Sequence, residues 1–165
     1  MSGETDTEEK YPFFFYGTLR RGQPNYALLR SNTSIEEPAL APQMELYSLG
    51  NFPMMVPGDH TVRGELVTLE HRIYDQLKER IDYLEGFRPF VAGECLYQRN
   101  LIQVVREADG ERVWAWAYVG TRDFVLGRYP QVPGEDWTAH QMNIMMNTRF
   151  ARFVSDAGQA ITARG

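Results

Sequence analysis

Cysteine is nearly absent from this chain. Its 165 residues hold one, Cys95, so no disulfide can form within the chain and no thiol-rich metal site can be built. Cys95 itself reads as a small buried hydrophobe rather than a nucleophile. Histidine is scarce too: His60, His71 and His140 show none of the spacings of a metal-ligand set and are taken as surface or loop residues. Basic clusters are missing. No run of Lys or Arg exceeds the pair Arg20-Arg21 and the formal net charge is -5, which leaves no general attraction for nucleic acid. No stretch approaches the roughly 20 apolar residues of a membrane span, and the polar start from Ser2 to Lys10 lacks the apolar core of a secretion signal. The expectation is a cytoplasmic protein with a small polar ligand, no nucleic acid and no membrane partner.

What is present is apolar and aromatic: 43% hydrophobic residues and 13% aromatics, enough in a chain of this length for one substantial core. Residues 1–10, with four carboxylates and no apolar residue after Met1, read as a disordered acidic leader. Tyr11-Pro12-Phe13-Phe14-Phe15-Tyr16 is too aromatic and too short for an amphipathic helix and reads as a buried strand. Gly17 to Gln23 then form a loop, and Pro24 opens a short helix carrying Tyr26, Leu28 and Leu29. The loop amides have no helical partners, and glycine allows close approach, so the turn suits a small carboxylate or phosphate. It has neither the Lys-Ser/Thr ending of a phosphate-binding P-loop nor the three-glycine spacing of a dinucleotide fold. Arg20 and Arg21 flank it and read either as substrate contacts or as solvated charges.

Further strands are expected at Met44-Glu45-Leu46-Tyr47, at Val62 to Val67, and in a hairpin of Leu96–Val105 and Arg112–Val119 around Ala108-Asp109-Gly110. Gly64, inside a strand, marks a bulge or a close approach to the backbone. Asn51 to Gly58, with two prolines, reads as an extended segment whose apolar side chains could wall a pocket. Gly127 to Trp137 reads as a connector, and Met142, Met145, Met146, Phe150, Phe153 and Val154 recur at helical spacing in an amphipathic helix expected to pack on the domain or on a second copy. The expected division is a leader over 1–10, a domain over 11–126, and a connector with C-terminal helix over 127–165. Strands on both sides of one central helix point to an α+β fold with a closed or strongly curled sheet.

That central helix spans Glu70 to Glu85, with Thr68 as its cap and Gly86 as its stop. At about 100° per residue from Ile73, Leu84 falls near 20°, Leu77 near 40°, Ile81 near 80° and Glu85 near 120°, while Asp82 and Glu79 fall on the water side near 180° and 240°. Glu85 therefore sits at the edge of the buried stripe, at the negative end of the helix dipole, where its ionised form is disfavoured. A local rule broken at the edge of a core is characteristic of functional sites.

Tyr16-Gly17-Thr18-Leu19, Val62-x-Gly64-Glu65-Leu66, Asp82-x-x-Glu85-Gly86-Phe87, Tyr97-x-Arg99 and Trp116-Ala117-Tyr118, in that order, resemble the gamma-glutamylcyclotransferase-like superfamily across most of residues 11–120. Tyr16 to Asn25 is similar in particular to gamma-glutamylamine cyclotransferases and their small bacterial relatives. The resemblance implies a small mixed barrel-like sheet with one central helix, to which this chain adds a C-terminal helix. It also implies no metal or organic cofactor, and release of 5-oxoproline from a gamma-glutamyl compound. Residue by residue, it implies that Tyr16, Gly17, Thr18 and Leu19 hold the glutamyl end, that Glu85 is the general acid/base, that Tyr97 lines the pocket and that Arg99 buttresses it. Tyr118 joins Tyr97 as a wall of the pocket, and loop amides or either phenol are candidate donors to an oxyanion. The alternatives are a non-catalytic small-molecule-binding protein of the same fold, and an assembly element forming a homodimer through the C-terminal helix.

Overall fold

Of the aromatic run, only the centre enters a ladder, as β1 (Phe13–Phe15). The computed structural model describes residues 9–87 and 96–162. The expected leader, save Glu9 and Lys10, lies outside the described residues, as do Cys95 and the side chains of Phe153 and Val154. β2 (Thr33–Ser48) and β3 (Pro53–Leu69) form one long antiparallel hairpin, from Thr33 opposite Leu69 to Ser48 opposite Pro53. The expected segments at 51–58 and 62–67 are thus a single strand from Pro53 onward. Prolines that argue against a strand are accommodated where one can be: Pro53 begins β3, while Pro42 and Pro57 border the irregularity at Met44.

β4 (Gln98–Arg106) and β5 (Arg112–Val119) form the expected hairpin. The order β1-β3-β2-β4-β5 closes into a barrel, with β5 running parallel to β1 at Phe13–Trp116 and to β3 at Met55–Val119. Strand alternation then divides the core in two. Phe14, Leu46, Met55, Val62, Leu66 and Val104 pack together with the small Ala39, Ala41, Ala115 and Ala117 inside the barrel. The opposite faces, carrying Phe13, Phe15, Val67, Leu69 and Tyr118, are covered by Leu77 and Ile81 of the helix α1 (Tyr74–Leu84). Each fully buried aliphatic side chain of this kind contributes about 1.5–3 kcal/mol of transfer free energy.

Four details depart from expectation. Thr68 does not cap α1, because it belongs to β3; a 3-10 turn at His71–Ile73 leads into the helix, which has no side-chain cap. Leu84, placed on the buried stripe by periodicity, is 42% exposed. The connector is stitched down: Val132 N–H donates to Leu46 O at 2.7 Å, Ser48 N–H to Pro130 O at 2.9 Å, and the buried Glu135 carboxylate accepts from the Leu46 amide. After α2 (Arg122–Val125), barrel packing therefore continues to Trp137, which is buried against the interior core. Beyond it, α3 (Trp137–Thr162) does not lay its methionine stripe on the domain. Met142, Met145, Met146 and Phe150 are all exposed, because only the first turn of α3 meets the barrel end among its described side chains.

Gly64 shows why one position in β3 admits no side chain. A Cβ there would stand 2.5 Å from the carbonyl oxygen of Phe15 and 2.6 Å from the Phe14 ring. Gly64→Ala is expected to lower stability by about 1–3 kcal/mol through overpacking against backbone that cannot yield. The midpoint of urea unfolding measures this, and an unchanged midpoint contradicts the close approach.

Candidate active site

The loop after β1 and the last turn of α1 converge on one cavity of about 510 Å³. Seven of the residues expected to bind substrate or act on it line this cavity: Tyr16, Gly17, Thr18, Leu19, Glu85, Tyr97 and Tyr118. Asn51, Phe52 and Pro53, from the segment expected to wall a pocket, form another side, with Pro24, Asn25 and Leu84 at the opening toward α1. Leu84 is thus exposed for a local reason, being part of the pocket rim.

The loop is held from within. Asn25 grips Thr18 twice, its backbone N–H donating to Thr18 O at 2.9 Å and its side-chain amide to Thr18 Oγ1 at 2.9 Å. Arg20 N–H closes back onto Gly17 O at 3.0 Å. Among the described residues, no acceptor faces the amides of Gly17, Thr18 and Leu19. Neither arginine beside the loop enters the cavity. The buried Arg20 guanidinium pairs with Asp136 at 2.8 Å and with Glu65 at 3.6 Å, pinning the loop to β3 and to the start of α3, while Arg21 pairs with Glu36 at 3.6 Å. Of the two readings of these arginines, substrate contact is the one the geometry does not support.

Glu85 follows α1 as its C-cap, its N–H donating to Ile81 O. Gly86, with φ of 71°, turns the chain away, and Phe87 N–H returns to Asp82 O at 2.8 Å. Burial pushes the Glu85 carboxyl up from 4.5 to about 7. Among the described residues lining the cavity Glu85 is the single carboxylate, and no Lys, Arg or His is among them. Three phenols surround it, and each is raised above its usual range, first by burial; the Glu85 charge adds to the effect in all three. They are neutral at any physiological pH.

The phenols are also committed. Tyr16 donates to Tyr118 O at 2.6 Å, Tyr97 to Pro53 O at 2.7 Å, and Tyr118 to Asp82 Oδ1 at 2.6 Å. The expectation that Tyr97 or Tyr118 donates to an oxyanion is therefore corrected: both protons are already used, and among the described residues the loop amides are the donors left in the cavity. Asp82 is corrected as well. Helical periodicity puts it on the water side, yet the β4–β5 hairpin lies there, and Arg99 pairs with its Oδ2. Sequence reasoning missed Phe14, Phe15 and Asn25 as wall residues; Asn25 had a signal, standing at the end of the Gly-Gln-Pro-Asn run.

A second, more open depression of about 630 Å³ shares Pro24, Asn25 and Leu84 with the cavity and continues along α1 past Arg80 and Tyr83. No helix among the described residues is long and apolar enough to cross a membrane.

A family model described as Gamma-glutamyl cyclotransferase, AIG2-like matches residues 13–139, a range holding both the loop and Glu85. The chain belongs to this family. Among curated members, a putative gamma-glutamylcyclotransferase of Vibrio cholerae is 34% identical over 64 residues, 39% of this chain and 56% of that protein. Gamma-glutamylaminecyclotransferase B of Danio rerio is 34% identical over 122 residues, 66% of this chain and 58% of that protein. The chain spans 56% to 66% of the length of the first four curated relatives it matches. The solution structure of protein ytfP from Escherichia coli superposes with a TM-score of 0.53 at 29% identity, covering 76% of this chain and 95% of that one. The barrel with its covering helix is thus the fold of the family.

A carboxyl raised in the folded protein favours the folded state while it is protonated. Between about 4.5 and about 7 the native chain holds a proton at Glu85 that the unfolded chain has lost, so this contribution to stability declines as pH rises through that window. Glu85→Gln removes the decline. Urea unfolding at several pH values is expected to show the variant gaining stability relative to the parent from about pH 4.5 to about 7; a constant difference contradicts a buried, raised carboxyl.

Proposed function

We propose that this protein is a gamma-glutamylcyclotransferase-type enzyme that closes the glutamyl group of a gamma-glutamyl amine or amide into 5-oxoproline and releases the free amine. The observation that carries this reading is the pairing, across one cavity, of loop amides that meet no acceptor among the described residues with the partly buried carboxyl of Glu85. Among the described residues lining the cavity there is no Lys or Arg for the glutamyl α-carboxylate to meet, and the amides of Gly17, Thr18 and Leu19 are the groups suited to receive it. Anchored by that end, a flexible chain loses the rotations that keep its α-amine away from its own side-chain carbonyl.

The reaction balances within the substrate. The α-nitrogen bonds to the side-chain carbonyl carbon, the carbon–nitrogen bond to the departing amine breaks, and the proton lost by the first nitrogen is gained by the second. Glu85, with a carboxyl raised to about 7, can take the proton from the attacking amine and return it to the leaving one. Amides of the same loop are the donors left for the tetrahedral oxygen. The departing amine has room in the depression beyond Pro24, Asn25 and Leu84. The name of the Danio rerio relative, a gamma-glutamylaminecyclotransferase, supports an amine as the released group.

Incubation with a panel of gamma-glutamyl amines and gamma-glutamyl amino acids, read by 5-oxoproline release, tests the proposal. Turnover of at least one is expected; saturable binding with no 5-oxoproline from any would make this a binding protein of the same fold. In Glu85→Gln, substrate affinity is expected to hold while the rate falls by about 10²–10⁴. Because the base must be ionised, kcat/KM is expected to rise with pH through a limb near 7 that the variant lacks.

A further inference from the structure

Asp82 and Phe87 stand three residues before Glu85 and two after it, and both close on the same guanidinium. Arg99, from β4, pairs with Asp82 Oδ2, and its guanidinium carbon lies 5.1 Å from the centre of the Phe87 ring and 4.9 Å from that of Trp116. Their side chains are 16% exposed for Asp82 and 15% for Arg99. The other Asp82 oxygen holds the Tyr118 hydroxyl at 2.6 Å, so the same carboxylate also orients a wall of the cavity. A half-buried pair of this kind adds little net stability over apolar residues of the same shape. What it adds is a fixed geometry and a balanced charge.

We propose that the Asp82–Arg99 pair is a positioning device for Glu85, clamping the turn that carries it on both sides and keeping the surroundings of its carboxyl free of net charge. The inference rests on the reading of Glu85 as the proton carrier. The planar guanidinium is suited to the task because it can lie between two rings while its edge meets a carboxylate, which an ammonium cannot do. Among the described residues, Tyr16 after β1, Tyr97 before β4 and Tyr118 from β5 line the cavity with Glu85 and are neutral; Asp82 stands one helical turn before it, paired with Arg99, and Lys78 lies 5.0 Å from the Trp116 ring. With Asp82 and Arg99 both present their charges cancel. Loss of either leaves one sign uncompensated.

Removal of the two partners should therefore displace Glu85 in opposite directions, which a merely structural role does not predict. Asp82→Asn leaves the guanidinium unpaired and is expected to lower the Glu85 titration by roughly one pH unit; Arg99→Met leaves the Asp82 carboxylate unpaired and is expected to raise it by a similar amount. The double variant returns it close to the parent. In all three, kcat for the best substrate is expected to fall about 10–100-fold as the turn loosens, with KM changed far less. Arg99→Lys, which keeps the charge without the stacking, should hold the titration while losing rate. Carbon-13 NMR of the Glu85 carboxyl reads the titration without any turnover, so a protein that releases no 5-oxoproline would overturn the proposed function and still leave this inference tested. Shifts in the same direction, or no shift, in two variants with native circular dichroism overturn it. Arg99→Lys is the variant to use should Arg99→Met not fold: a displaced titration there, with charge retained, has the same meaning.

Discussion

A carboxyl group half-buried at the negative end of a helix is the constraint around which this molecule is arranged. Water is the best solvent for a carboxylate, and helix C-termini favour cations. Glu85 is partly buried, and its described neighbours in the cavity are three phenols, the flank of Leu84 and a loop of backbone amides, with no Lys, Arg or His among them. The rest of the barrel can be understood as what keeps that arrangement from relaxing. Leu77 and Ile81 seat α1 on the outer face of β1 and β3, the Gly86 turn stops the helix one residue after Glu85, and Asp82 with Arg99 ties the last turn to the β4–β5 hairpin.

The opposite wall is rigid for a different reason. The Gly17–Leu19 loop is anchored by Leu19 in the core and fixed by neighbours, Asn25 from within and Arg20 by its ion pairs with Glu65 and Asp136. The charges nearest the loop are spent on architecture, and no Lys, Arg or His is among the described residues lining the cavity. Under the proposed function an anion entering it meets N–H dipoles, which orient a carboxylate without placing a full charge beside Glu85. In the proposed reaction that separation matters, since a lysine or arginine in the cavity would hold Glu85 ionised and unable to return a proton.

Much of this was readable from residue order. The aromatic strand, the Gly-Thr-Leu loop, the stop at Gly86, the β4–β5 hairpin and the place of Glu85 at the rim of a buried stripe all rest on local rules of spacing and capping, and local rules act over a few residues. Gly64 was readable as a close approach, though not what approached it, since Phe14 and Phe15 lie some fifty positions earlier. Periodicity failed where tertiary contacts decide a helix face: it put Asp82 in water, where the β4–β5 hairpin meets it, and Leu84 in the core, where it is exposed at the pocket rim. It failed again where bulges let prolines stay inside long strands, as at Met44 in the β2–β3 hairpin.

The sequence by itself determined which residues could do chemistry here, because a polar loop after a buried strand and an acid at a helix end are legible as exceptions to patterns of burial and charge. Only the tertiary structure decided that the two face each other across one cavity, that the arginines beside the loop turn away from it, and that the three phenolic protons are already given to Tyr118 O, Pro53 O and Asp82. The physical reason is closure. Strand pairings between residues up to about a hundred positions apart set distances that no local preference contains, and hydrogen-bond partners are chosen by whatever acceptor that closure brings within about three ångströms.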